Sequence, residues 1–527
     1  MRRIAWRPVN EADRETRNTP RQWVVLLAAA SLLWSVLFIL YSSPLRTTYF
    51  FMDEILYLRP QPFPVLGAFW MPFVFGLSNG RPVSYFIWGI FLGIASNWDG
   101  LHWLRVLHFG VIATALSLLL YVLYRRSKSI WWALGCVLVL STQPVTQVSF
   151  VITIVTTYWL AAVIGCGVFL YLHQHRAPLR EWRTAKRKLT VAAALLLVAW
   201  MTFQGGPFCG LALAGYYALT STPEDWPDER RAALTFVGVL LATMVVYVVV
   251  YRVLLAATGA QTYELVGPAF STLTGASIGT ESSWLRFSNY LGPFEWWNYI
   301  LPVEPLADVT FRRLASLSAL ACMTVLSLAF VIEARRAERS SVFERYAVAV
   351  VALLLTFLPL IADGFTMRQH IYIACVPAVI LTVGYAAAVI VGSLRLPGVV
   401  RLLLSGSAVV ALCLLAWGAR AGFERSLVQP SARWYSFARQ QARRAADRSF
   451  THIAVVIPPS ECFQEPCRGM FQYRMPWGDR EGMAGSHRKI VQDETGRSDF
   501  DLKLSAPTDD RTADQATTLW IDYRDLQ

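Results

Sequence analysis

The sequence predicts an all-α polytopic membrane protein of about eleven spanning helices. Juxtamembrane helices occupy its first outer loop, and a small α/β domain follows on the extracytoplasmic side. Three observations predict this. Hydrophobic residues make up 55% of the 527 positions and charged residues 16%, with a mean hydropathy of +0.42, where a soluble chain carries roughly 25% charge. Apolar runs long enough to cross a bilayer recur along the chain and are divided by short basic loops. Beyond residue 420 that pattern gives way to polar sequence with strand-like pieces.

Residues 1–22 hold Arg2, Arg3, Arg7, Arg14, Arg17 and Arg21 and read as a cytoplasmic N-terminus. Trp23–Leu40 is too long for a signal-peptide core and lacks a small-residue cleavage site, so it reads as the first anchor. A long outer connection follows. Val83–Ala95 is apolar but short. Charge decides its status: Arg125, Arg126 and Lys128 form one basic loop, His173–Lys188 another, and both belong inside. Leu101–Tyr124 must then enter from outside, which leaves 83–95 as a helix lying at the outer interface or dipping into it.

The remaining spans keep the rule. They are 130–146, 150–172, 189–202, 207–219, 237–255, 314–332, 346–361, 371–390 and 402–419. Arg335, Arg336, Arg339, Arg395 and Arg401 fall inside, and the weak exception is Arg312–Arg313 at an outer helix start. The membrane domain is thus 23–420 and the extracytoplasmic domain 421–527. In the latter, Ile453–Ile457 ahead of Pro458-Pro459 reads as a buried strand, and residues 518–523 as a second. This places the chain in an inner (plasma) membrane with its N-terminus in the cytoplasm.

The net charge of +13 would suggest nucleic acid in a soluble chain. Here much of the basic charge sits in loops between apolar segments, and no zinc-finger spacing or aromatic-laced basic stripe occurs, so nucleic acid is not expected as a partner. Of eight cysteines, Cys136, Cys166, Cys209, Cys322, Cys375 and Cys413 fall in apolar segments as packing residues. Cys462 and Cys467 lie in the polar region, where an oxidising compartment would permit a disulfide.

Three short stretches carry chemistry. Asp53 and Glu54 are adjacent carboxylates in an aromatic, apolar stretch beyond the first anchor. Near a membrane such charges are costly unless they face water or a partner, and a carboxylate in a cleft can take a proton from a hydroxyl. Asn79-Gly80-Arg81-Pro82 starts the interfacial helix with a proline, which sets Arg81 where an anionic headgroup meets both it and backbone donors. Asp363–Tyr372, ahead of Pro377, brings Arg368, suited to bidentate phosphate binding, with His370 and Tyr372 as further hydrogen-bonding groups. The competing readings are a solvated loop for the carboxylates, snorkelling to lipid phosphate for Arg81 and a structural role for His370. Trp284, Phe287, Tyr290, Phe294, Trp296, Trp297 and Tyr299 suit an interfacial aromatic belt better than a sugar platform. Gln204-Gly205-Gly206-Pro207 interrupts an apolar stretch, as a tight turn or a cavity.

In order and placement these features resemble the GT-C superfamily of membrane glycosyltransferases, which use lipid-phosphate-linked sugars. That family shows an outer loop with an acidic pair, a basic-Pro motif before a juxtamembrane helix, and a later outer Arg/Tyr motif before a Pro-containing helix. Asp53-Glu54, Arg81-Pro82, and Arg368–Tyr372 with Pro377 take those places. Arg105 matches an arginine found where the second spanning helix begins. The resemblance covers the chain up to residue 125 and the region 363–380. Arg81-Pro82 stands where some members have Lys-Pro-Pro, and both O-antigen glucosyltransferase-like and aminoarabinose- or mannosyltransferase-like relatives fit.

The resemblance implies an inverting displacement on a polyprenyl-phosphate-linked sugar, with a glycan, lipid or protein hydroxyl as acceptor, among membrane lipid. Asp53 would act as general base, with Glu54 orienting it or sharing the role. Arg81 and Arg368 would stabilise the departing phosphate. Arg105, His370 and Tyr372 would help bind substrate. Some members hold a divalent metal near the carboxylates; the sequence offers no dedicated metal cage, so no cofactor is assigned.

Two other classes compete. A transporter or flippase usually places paired charges at mid-membrane and repeats its halves, whereas here the charges sit at helix ends and no repeat is visible. A non-catalytic envelope assembly protein would tolerate loss of Asp53 and depend instead on the region after Arg420.

Overall fold

The computed structural model describes residues 20–46, 73–74, 76–77, 80–94, 98–150, 156–175, 182–259, 308–336, 339–359, 373–394, 397–424, 428–447, 449–456, 480–505 and 517–522. They form a helical bundle followed by a small parallel sheet.

The bundle opens with α1 (Pro20–Tyr41) and the short α2 (Ser43–Arg46). Then come α3 (Pro82–Ile94), α4 (Trp98–Ser127), α5 (Ile130–Ser141), α6 (Pro144–Ser149) and α7 (Thr156–Gln174). It continues with α8 (Trp182–Thr202), α9 (Cys209–Thr220), α10 (Trp226–Thr258), α11 (Asp308–Ala334), α12 (Arg339–Leu355), α13 (Cys375–Ser393) and α14 (Gly398–Phe423). Among the described residues six helices are long and apolar enough to cross a membrane: those within α1, α4, α7, α10, α13 and α14. Their outward sides are apolar, with Val24, Leu27, Val245, Val253, Leu414 and Trp417 all exposed. A surface this apolar is stable only against lipid or another apolar partner. The chain is a membrane-spanning protein.

Of the other expected spans, three fall on the shorter helices α5, α9 and α12, one on α8 with its basic first turn, and one on the 27-residue α11. The segment 130–146 divides, because α5 stops at Ser141 and α6 begins at Pro144. Ser141 and Thr142 return their hydroxyls to the carbonyls of Leu138 and Val139, and a proline biases its predecessor away from helix. At 12 residues, α5 and α9 are each about 18 Å long, short of a bilayer. α8 begins seven residues before its expected start, in a basic turn with Arg183, Lys186 and Arg187.

α9 is the centre of the bundle. It is buried from Cys209 through Leu219 and packs against α7, α10, α12 and α13. Glycines permit the closest approach. A Cβ on Gly165 would lie 2.8 Å from the carbonyls of Gly206 and Pro207, and one on Gly210 would lie 2.3 Å from the Phe236 ring.

The C-terminal end of α9 meets two arginines. Arg126 of α4 donates to Thr220 Oγ1 (2.8 Å) and to the Tyr217 carbonyl (3.1 Å). Arg345 of α12 donates to the Ser221 carbonyl at 2.6 Å. Cations belong there, since the last carbonyls of a helix lack partners and carry its negative pole. Each arginine has its own carboxylate. Arg126 pairs with Glu229 (3.1 Å), which His173 also reaches at 2.7 Å, and Arg345 pairs with Glu333 (3.5 Å). Tyr385 donates to Glu333 as well (2.5 Å). The ends of α4, α7, α9, α10, α11 and α12 that carry these groups therefore share one polar layer.

After α15 (Gln429–Arg444) come β1 (His452–Val456), α16 (Arg480–Thr495), β2 (Asp501–Ser505) and β3 (Thr518–Asp522). The sheet is parallel in the order β2-β1-β3, with Val455 opposite Leu504 and Ile521. The two expected strands are β1 and β3, and β2 is a third strand beyond them. Tyr435, Phe450, Ile453, Val455, Ile490, Val491, Leu519 and Ile521 make a core of their own. Cys462 and Cys467 lie outside the described residues.

Candidate functional site at Arg81

Gly80 and Arg81 form a turn ahead of α3, with Gly80 N–H bonded to the Leu77 carbonyl (2.9 Å) and Arg81 N–H to that of Gly76 (2.7 Å). Gly80 has φ +71°, a left-handed conformation that glycine adopts without steric cost. Its neighbours also leave no room for a side chain: a Cβ would lie 2.8 Å from Gln204 Nε2 and 3.0 Å from Tyr247 Oη.

The guanidinium of Arg81 is held from two directions. Nε donates to Gln204 Oε1 (3.1 Å) and Nη1 to Tyr158 Oη (2.7 Å). The rings of Tyr158 and Phe203 stack with centroids 4.0 Å apart, and the cation lies 5.2 and 5.0 Å from them, within cation–π range. Gln204 turns its amide nitrogen to the Gly80 carbonyl (2.6 Å) and to Tyr247 Oη (2.9 Å). Tyr247 donates to the same carbonyl at 2.7 Å. A partly buried side-chain cage of this kind holds a cation in one place.

The first turn of α7 joins the cage to the rest of the bundle. Tyr158 holds Arg81, Thr157 Oγ1 lies 2.6 Å from Ser84 Oγ of α3, and Thr156 Oγ1 meets His108 Nδ1 of α4. His108 Nε2 meets the carbonyl of Ser149. A carbonyl only accepts, so Nε2 carries the proton. One turn earlier on α4, Arg105 is buried and donates to the Pro44 carbonyl at 3.3 Å.

Helix geometry sets the depth of this second polar layer. Glu229 and Tyr247 are both on α10, eighteen residues apart, which is about 27 Å of helix. His108 and Arg126 on α4 give the same separation. A hydrocarbon core is about 30 Å thick, so the Arg81 cage and the Glu229 layer are separated by about that thickness. Arg252, just past Tyr247 on α10, is exposed.

Of the residues singled out from sequence, Arg81 and Arg105 are described, and the first turn of α7 and His108 link the elements that carry them. Asp53, Glu54, Arg368, His370 and Tyr372 lie outside the described residues. The described residues that flank them, Ser43–Arg46, Gly76 and Leu77 beside the carboxylates and Ile373 beside the later motif, belong to the Arg81 end. Pro44 receives Arg105, Gly76 supports the turn, and Ile373 accepts from Cys209 Sγ (3.3 Å) at the start of α9. Among the described residues no three His, Cys, Asp or Glu side chains converge as a metal site.

Tyr158, Thr157, Thr156, Ser84, His108 and Tyr247 also belong to this layer and are not among the residues that the sequence motifs mark. For His108 a signal existed, since an ionisable residue inside an apolar span is a functional candidate by default. No family model, curated protein or solved structure matches the chain.

Proposed function

We propose that the protein is a membrane glycosyltransferase that takes its sugar from a polyprenyl-phosphate carrier and passes it to a hydroxyl acceptor. The observation that carries this reading is the Arg81 cage. A guanidinium preorganised by Gln204, Tyr158 and Phe203, about one hydrocarbon thickness from the opposite polar layer, suits a lipid phosphate. Charge grows on the leaving phosphate as the glycosidic bond breaks, and a preorganised cation stabilises it without reorganising.

In this reading Asp53, with Glu54, removes the acceptor proton, and Arg368, His370, Tyr372 and Arg105 complete the phosphate and sugar contacts. The basic residues Arg125, Arg126, His173 and Arg339 gather at the far layer, so the positive-inside tendency puts that layer in the cytoplasm. The Arg81 cage and the C-terminal unit then face the extracytoplasmic side of the inner membrane.

A second reading is a flippase for a lipid-linked sugar. The short, buried α9 favours it, since broken half-helices often build transporter sites. Asp53→Asn and Arg81→Ala separate the two. In membranes supplied with a radiolabelled polyprenyl-phosphate sugar, transfer to acceptor should fall about 10²- to 10³-fold while insertion stays normal. Intact transfer in both variants, with altered lipid translocation, would decide for the flippase.

A further inference from the structure

We infer that the hydroxyl of Tyr251 is a second donor to the carrier phosphate held at Arg81, an assignment that rests on the lipid-phosphate reading of that site. Tyr247 and Tyr251 stand one turn apart on α10 with rings stacked 5.9 Å centroid to centroid at 12°. Their hydroxyls differ in one respect. That of Tyr247 donates to the Gly80 carbonyl and accepts from Gln204. That of Tyr251 is buried and has no hydrogen-bond partner among the described residues.

Buried hydroxyls are nearly always bonded, because leaving one unsatisfied is costly. The side chain as a whole is 7% exposed, and its Cζ, which bears the hydroxyl, lies 4.0 Å from where a Cβ on Gly80 would stand. The open phenol therefore borders the turn that carries Arg81. A phenol can donate to an acceptor, and an anion with several acceptor oxygens can take that bond while also facing a guanidinium. Arg252 next along α10 is exposed, as a cation at the headgroup level would be. A phosphate on a lipid tail reaches that level from within the leaflet.

Tyr251→Phe removes the hydroxyl and keeps the ring stack. The full-length protein in nanodiscs of zwitterionic lipid is titrated with a polyprenyl monophosphate and, separately, with inorganic phosphate. The variant should unfold at the wild-type temperature without ligand and bind polyprenyl monophosphate about tenfold more weakly, the scale of one hydrogen bond to a charged group. Equal affinity in the two proteins overturns the assignment of Tyr251. If Arg81→Lys still weakens binding in that case, the function proposed above stands without it. No binding of polyprenyl monophosphate by the wild type removes both. Tight binding of inorganic phosphate overturns the lipid source.

Discussion

At Gly80 a methyl group is excluded twice, by a φ of +71° and by Gln204 and Tyr247 within 3.0 Å of its place. Gly80→Ala should cost about 1–2 kcal/mol from the left-handed backbone alone, and more if Gln204 must move. The expected result is a lowered melting temperature in detergent together with lost sugar transfer. Gln204→Leu makes a milder test, removing the contacts to Arg81 Nε and to the Gly80 carbonyl. Transfer should fall at least tenfold while insertion is retained, as judged by the level of protein in the membrane fraction.

The sequence marks the turn itself, through Asn-Gly-Arg-Pro, but not its partners. Tyr158, Gln204 and Tyr247 are between 77 and 167 residues away. Nothing local about a tyrosine in an apolar helix says that its hydroxyl meets an arginine from another one.

Among the elements, α9 shows what a helix too short for the membrane requires. Its polar C-terminal end is inside the protein, so the arginines that cap it come from α4 and α12, each matched by a glutamate. Arg345→Met should lower stability by about 3–5 kcal/mol, the cost of stranding a buried partner. Arg345→Met with Glu333→Gln should recover part of that loss in thermal unfolding.

In the C-terminal unit Glu494 of α16 is clasped by Arg439 and Arg443 of α15. Burial alone would raise its pKa, but the hydrogen bonds from Arg443 and Arg439 outweigh it and hold the carboxyl below the usual range. The stability this contributes is present above the unfolded carboxylate pKa and is lost as pH falls through the lower folded value. Melting followed between pH 6 and pH 3 should show that loss, and Glu494→Gln should flatten it.

The strands illustrate what sequence pattern can carry. β1 is a continuous apolar run, buried from Ile453 to Val456, as a central parallel strand should be. β2, Asp-Leu-Lys-Leu-Ser, lies at the sheet edge, where charge is tolerated, and its two leucines do not stand out from loop sequence.

For the whole molecule the informative quantity is the distance between two polar layers. Apolar length and basic loops made the helical membrane class legible, and they set a direction for each span. They did not reveal that α5 stops at Ser141 or that α9 is buried, because a membrane helix and a core helix share a composition. The two layers are testable as opposite surfaces. Lys128→Cys lies in the basic loop beside Arg126, and Thr258→Cys lies at the far end of α10. An impermeant thiol reagent should modify Thr258→Cys in intact spheroplasts, and Lys128→Cys only after the membrane is permeabilised. Modification of both from one side would remove the basis for the depth assigned to Arg81.

The Gly80 carbonyl accepts from Gln204 and from Tyr247 together, so both of its lone pairs are engaged. The peptide cannot rotate without breaking two bonds at once. A ligand arriving at the turn meets a surface already set, and little ordering entropy is lost on binding there. If the proposed lipid phosphate binds here, the same rigidity narrows tolerance: a headgroup of different width would find no backbone willing to shift, and discrimination would come from what the protein cannot do.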